Sequence, residues 1–343
     1  MYGIAIALFT AFRIVTTLFA ETPPPDLQTF LRSQLAVTPQ ELASLEKGQI
    51  IVRLPKTPET REVAAFAIMR LDVTDDFFLE HVRDIVNFKA SENVLQIGKF
   101  SDTPGLADLS RLKLDAADIE SVKRCRLNSC DMKVTAGFIE RFRNAINWSA
   151  PDYRERTSQV LRELMLERVK SYLAGGNASL GEYRDKSYSL KLADEFQSLL
   201  QPAPYMYEYP PEFQKYLVDY PQARPVDVED FMYWSKEKFA LKSVISLTHV
   251  VIYKRLGRNG TDILIASKGI YASHYMETSL GLTAIIHSDG PGPQRTYLIY
   301  INRSRVDALR GLFAGLKRSL ITSSLRDAAK KSMEMIKKKL ESK

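Results

Sequence analysis

The sequence predicts an α+β protein: an antiparallel sheet, a long C-terminal helix and a large, mainly helical insertion. Three observations predict it. A strand-like run, "EVAAFAIMRLDV" (62–73), leads into a capped helix and a second strand, "NVLQIGKF" (93–100). From Val226 onward, strand-like segments follow one another across Asn-Gly and Gly-Pro turns, the pattern of antiparallel hairpins. After them Val306, Leu309, Leu312, Phe313, Leu316, Leu320 and Ile321 recur at helical spacing.

The 343 residues suffice for one large decorated domain or two smaller ones. With 45% hydrophobic and 26% charged residues, a core of normal size is expected and wholesale disorder is not. The net charge of +7 is a modest excess, much of it in the last forty residues. Lys/Arg blocks interleaved with aromatics are missing, as is zinc-finger spacing, so no nucleic-acid partner is expected. The basic C-terminal helix leaves a membrane-surface contact open.

Taken in order, "YGIAIALFTAFRIVTTLFAETPPPD" (2–26) is an apolar run broken by Arg13 and ending in a Pro-rich polar stretch. Residues 1–20 are expected to be a secretory signal, giving a periplasmic or secreted protein. The rival readings are an uncleaved anchor over residues 4–20 and a cytosolic amphipathic helix. Further along, no segment reaches 18 consecutive apolar residues, which argues against a polytopic membrane protein.

Residues 21–55 read as a Pro-rich entry and a short helix. Thr38-Pro-Gln-Glu41 fits a capping box with Pro at the first helical position. The main domain is expected over 56–343. Its first strand (62–73) reads as buried on both sides, and Thr74 caps the helix that follows.

The insertion spans about 101–225. It opens on a strand-like stretch around Cys125–Val134. Cys125 and Cys130 are the only cysteines, and a turn at Asn128-Ser129 would bring them together. A small structural disulfide is expected, with two buried thiols as the alternative. The spacing is wrong for a CxxC redox motif, and no further Cys or His accompanies the pair as a metal site. Helices are predicted over 135–148 and 150–176, the second with the stripe Val160, Leu161, Leu164, Met165, Val169 and Leu173. Asn177-Ala-Ser179 fits a glycosylation acceptor. A Tyr- and Pro-dense connector (201–225) closes the insertion.

In the C-terminal part, 228–255 reads as two strands with a kink near Phe239–Lys242, and "GRNGTD" (257–262) as a hairpin turn. Residues 262–288 read as one very long β segment bent at Gly269 or around Ser279–Gly281. Residues 295–303 form another strand, and Ser304 is expected to cap the last helix. Gly311 and Gly315 would let that helix approach the sheet closely.

One stretch carries the chemistry. In "IYASHYMETSL" (270–280), strand alternation groups Ile270, Ala272, His274 and Met276 against Tyr271, Ser273, Tyr275 and Glu277. Upstream, His249 shares a face with Ile245, Leu247, Val251 and Tyr253. A metal site would need a third ligand, and only His81 and His287 remain. A G-x-S-x-G elbow, a cysteine next to a base and a phosphate loop are all missing. No catalytic residue, metal or cofactor is therefore named.

The order strand, helix, strand, helical insertion, antiparallel strands, long helix resembles the START-like (helix-grip) superfamily. The residues that carry the resemblance are 62–85 and three segments within 247–316: "LTHVVIYKR", "LIASKGIYASHYMETSLGLTAII" and "TYLIYINRSRVDALRGLFAGL". The resemblance is architectural and covers about half the chain. It implies a curved antiparallel sheet gripping the C-terminal helix, with a lipid, isoprenoid or other hydrophobic small molecule held between them.

On that reading, the chain is an exported, non-enzymatic binding or carrier protein. His249 and His274 would anchor polar groups, and Leu247, Ile270, Met276, Leu298 and Tyr300 would line the cavity. Two alternatives stand beside it. One is a structural or interaction module acting through the helical insertion. The other is a cyclase, dehydratase or hydrolase using cavity histidines as acid and base.

Overall fold

The computed structural model describes residues 27–207, 209–257, 260–287, 295–310 and 314–342. The signal or anchor expected over residues 1–20 lies outside the described residues. Two helices lead in, α1 (Leu27–Leu35) and α2 (Pro39–Glu46). The capping box of α2 forms as its sequence predicts, with Thr38 and Glu41 satisfying each other's backbone amides. Then come β1 (Ile51–Arg53), β2 (Glu62–Leu71), α3 (Asp75–Arg83), α4 (Ile85–Lys89) and β3 (Val94–Lys99).

The insertion contains α5 (Ala116–Arg124), α6 (Ala136–Ala145), α7 (Tyr153–Gly175), a small hairpin of β4 (Glu182–Tyr183) and β5 (Leu190–Lys191), α8 (Leu192–Leu200) and α9 (Pro211–Asp219). Five strands and a helix complete the chain. They are β6 (Val228–Phe239), β7 (Lys242–Gly257), β8 (Gly260–Ala272), β9 (Met276–His287), β10 (Thr296–Val306) and α10 (Ala314–Glu341).

Eight strands form one curved, open antiparallel sheet in the order β1-β2-β10-β9-β8-β7-β6-β3. Each of β6 to β10 pairs with the next in sequence. β10 then lies between β9 and β2, so the first long strand neighbours the last. Bulges where β7 meets β8 and near the end of β10 bend the ribbon.

Two cores use the two faces. The insertion helices cover one face in a large cluster that includes Phe66, Leu247, Val251, Leu264, Ile270, Tyr271, Leu282 and Ile299. On the other face, Phe78, Leu79 and Val82 of α3, Ile85 of α4, and Met333 and Leu340 of α10 pack on Met69, Val250, Ile252, Ile263, Ile265, Ile285 and Leu298. Burial on both sides explains why β2 reads as a continuous apolar run, with only Arg70 half-buried.

Helix α10 follows β2. Arg318 donates to Thr60 O (2.8 Å) and Glu62 O (2.9 Å), and Lys337 to Arg70 O (2.7 Å). Its 28 residues span about 42 Å at 1.5 Å per residue.

Several sequence expectations are corrected. Ser304 caps no helix, because β10 runs on to Val306 and a 3₁₀ turn follows at Asp307–Leu309 before α10 begins. Gly315 faces open space rather than the sheet, and Gly311 lies outside the described residues. Around Cys125–Val134 there is a turn closed by one bridge, Arg126 to Ser129, and no strand. Cys125 and Cys130 are joined by a disulfide across a Cα–Cα distance of 4.6 Å. The kink near Phe239–Lys242 is a hairpin turn, with Ala240 at φ 50°. "IYASHYMETSL" is no single strand: β8 ends at Ala272, and Ser273-His274-Tyr275 turns the chain into β9.

Candidate functional site

On the α10 face, the sheet changes character halfway along its strands. One half presents the isoleucines, leucine and methionine that fill the layer under the helices. The other half presents residues that cannot fill it. Following the pairing across the strands, Asn302 lies beside Gly281 and Gly281 beside Ser267. One step along, Ser304, Ser279, Gly269 and Thr248 form the next row. Ser246 and Ser235 pair beyond them. Each swap of a large apolar side chain for Gly or Ser removes contact volume that a helix at the same height cannot restore. Consistent with that, Ser246, Ser267, Gly269, Ser279, Thr283, Tyr300 and Asn302 are half-buried although they sit on inner strands. Their opposite face is sealed by the insertion core, so solvent reaches them from the α10 side.

A charged pair stands at this cleft. Lys89, the last residue of α4, reaches Glu237 of β6 at 3.0 Å, with side chains 31% and 34% exposed. Ser235 donates to the same carboxylate at 2.7 Å. The Lys89 ammonium also lies 5.5 Å from the centre of the Tyr233 ring. Burial works against the Lys89 charge, but Tyr233, Glu237 and Tyr300 outweigh it and raise its pKa. Burial likewise opposes the Glu237 charge, and Lys89 with Ser235 lowers its pKa in spite of it. Tyr300 is pushed up by burial, against the pull of Lys89 and of its hydrogen bond with Asn302. Ser304 donates to Asn302 Oδ1 at 2.8 Å. The cleft therefore offers an ammonium, a carboxylate, a phenol and a carboxamide at one end and packed aliphatic side chains at the other.

The seven residues expected to line one cavity do not come together. Leu298 and Tyr300 are on the cleft face, Leu298 in its packed half and Tyr300 in its open half. Leu247, His249 and Ile270 belong to the opposite face, under the insertion. The bulge explains Ile270: Thr248 pairs with Gly269 and Leu247 with Tyr271, so Ile270 is the extra residue and alternation fails there. His274 and Met276 lie at the β8–β9 turn.

Both histidines have partners away from the cleft. The Tyr172 hydroxyl of α7 and His249 Nδ1 share a hydrogen bond of 2.9 Å, and His249 Nε2 lies 3.8 Å from Asp230 Oδ1. That separation is electrostatic contact rather than a hydrogen bond. Burial lowers the His249 pKa, against the pull of Asp230. Burial also opposes the Asp230 charge, but His249, Tyr216 and Arg224 hold its pKa down at about 2. Beside His249 on the next strand, Lys268 is 1% exposed, and burial depresses its pKa well below the usual range. Its ammonium meets Asn177 Oδ1 and lies 3.7 Å from the Phe196 ring centre. Asn177 Nδ2 also donates to Leu217 O (3.1 Å) and Val218 O (2.5 Å). With its amide so engaged, the sequon at 177–179 is a structural joint rather than a free acceptor.

His274 bonds to Asp118 Oδ1 (3.0 Å) through Nε2 and to Asp131 O (3.1 Å) through Nδ1. Its carboxylate thus comes from a helix, α5, and not from a strand. Among the described residues, no group of three His, Cys, Asp or Glu could hold a metal ion. A separate polar groove of about 560 Å³ lies between the α2–β1 loop and α10, lined by Gln49, Lys330, Glu334, Lys337, Lys338 and Glu341. Compared with known proteins, the chain matches no family model, no curated sequence and no solved structure.

Proposed function

We propose that the chain binds or carries a hydrophobic small molecule, a lipid or isoprenoid, in the cleft between the sheet and α10. One observation carries the reading: a patch of Gly, Ser, Thr and Asn on inner strands, half-exposed on the face that the C-terminal helix packs on. An apolar ligand would lie against the aliphatic half, and its polar end would meet Lys89, Glu237, Tyr300 and Asn302. The strand circuit β2-β10-β9-β8-β7-β6-β3 supports the START-like resemblance.

The enzymatic alternative asked for His249 or His274 beside a carboxylate or phenol inside the cleft, and their partners, Tyr172 with Asp230 and Asp118, lie on the insertion face and at the β8–β9 turn. The interaction-module alternative wants an apolar patch on 135–173, and among the described residues no large hydrophobic side chain there is exposed. Export belongs to the same proposal. It rests on the leader-like residues 1–20 and on a disulfide that suits an oxidising compartment.

The test is native mass spectrometry with organic extraction, on protein recovered from its own host. The wild type is expected to carry about one equivalent of an apolar molecule. Ser267→Phe, which puts a ring into the open half of the floor, is expected to lose at least tenfold of that occupancy while staying folded. A wild type that carries nothing and takes up no long-chain fatty acid or prenyl alcohol sinks the proposal.

A further inference from the structure

The β6–β7 hairpin ends in Lys238-Phe239-Ala240-Leu241-Lys242. Leu241 is 97% exposed and Phe239 is 40% exposed, while Tyr275 of the β8–β9 turn packs against the Phe239 ring at 5.5 Å. A hairpin tip with a bare leucine and a phenylalanine covered only in part, by Tyr275, leaves apolar surface in water at a cost in free energy. Lysines flank the apolar tip on both sides, and the carboxylates beside it, Glu237 and Asp131, are each paired with a lysine, Lys89 and Lys242. Lys238 is exposed, and Lys242 keeps 31% of its side chain exposed despite its pair with Asp131. Apolar wedge and flanking ammoniums together fit a bilayer with anionic headgroups: the rings and the leucine enter the acyl boundary, and the lysines stay at phosphate level.

The tip also continues the cleft. Ser235, Glu237 and Phe239 alternate onto the same face of β6, so Phe239 lies about 7 Å beyond the Lys89–Glu237 pair at 3.3 Å per residue. We infer that this hairpin tip docks the protein on an anionic lipid surface, with the open end of the cleft turned toward the bilayer. The inference rests on the carrier reading for its purpose, while its geometry stands apart from it.

Flotation with vesicles tests it, using phosphatidylcholine containing about a third phosphatidylglycerol, against phosphatidylcholine alone. The wild type is expected to float with the anionic vesicles. Phe239→Ser with Leu241→Ser is expected to lower the bound fraction at least tenfold, and Lys238→Glu to weaken binding and abolish its salt dependence. Leu256, 91% exposed at the far end of β7, is the control. Leu256→Ser is expected to bind as the wild type does. Equal losses from the two ends would mean general stickiness and overturn the assignment. No vesicle binding by the wild type, or a hairpin variant that instead dissociates a wild-type dimer, overturns it as well. The hairpin variants leave the cleft floor intact. An extracted ligand without vesicle binding therefore removes only this inference, and vesicle binding without a ligand removes only the carrier reading.

Discussion

Arg303 holds Glu62 through both carboxylate oxygens, at 2.7 and 3.2 Å, where both side chains are almost completely buried. The same guanidinium donates to Leu199 O and Gln201 O, each at 2.7 Å, and so ties β10 to the connector after α8. Arg303→Met strands a buried carboxylate, which costs about 3–5 kcal/mol in comparable pairs. Urea denaturation should show a loss of that order, and adding Glu62→Leu should recover much of it. His249 sets a pH dependence. Its folded pKa lies below the ordinary 6.5, so the unfolded chain binds the proton more readily. Its contribution is complete above about 6.5 and declines as pH falls below that value. Asp230 acts in a lower window: its contribution is present above 3.8 and lost as pH falls toward about 2. Thermal melts across pH 7.5 to 4.5 should fall for the wild type and flatten for His249→Gln. An unchanged slope would remove His249 as the cause. The sequence marked His249 as unusual on its apolar strand. It gave no sign that Tyr172 and Asp230, from distant segments, would enclose it.

At the scale of elements, the capping box at Thr38, the Thr74 cap, the β7–β8 hairpin and helices α6 and α7 were legible because their signals are local. Helix α5 was not read, and α9 lies inside the stretch read as a connector. The errors fall where a strand departs from period two. The extra residue Ile270 put Ile270 and Tyr271 in one core, and a turn inside "IYASHYMETSL" broke an apolar run that reads as continuous. The end of β10 was misplaced because Ser304 suits an N-cap, yet its backbone is held in register by Val63 and Ser279. The basic end of α10 reads as free charge, but Lys337 and Lys339 are committed to carbonyls of β2 and of the α4 terminus. The disulfide closes so short a loop that it restricts the unfolded chain little. Replacing both cysteines by serine should lower stability by no more than about 2 kcal/mol in chemical denaturation, with ligand occupancy unchanged.

For the molecule as a whole, the fold class and the long C-terminal helix were readable from the order of elements, which the sheet bears out. A cavity between the sheet and the last helix was expected, but apart from Leu298 and Tyr300 its lining was not read, although a trace of it lies in the sequence. Ser246/Thr248, Ser267/Gly269, Ser279/Gly281 and Asn302/Ser304 each place two small or polar residues two positions apart, on one face of a strand. Singly these look like weak points in a strand. Only the pairing across β7 to β10 aligns them into a patch, and Lys89 arrives from a helix that no strand pattern would connect to it.

The position of β10 has a consequence for how the chain is made. β2 and β10 pair along ten positions although more than two hundred residues separate them. β2 is apolar on both faces, and one of its edges stays open until the end of the chain is available. Such long-range closure slows folding, because the loop entropy is lost before the pairing repays it. A chain threaded through a membrane from its N-terminus would emerge with β2 early and wait for β10. During that interval an unpaired hydrophobic strand would be on offer to any neighbour, and chaperoning would matter most there.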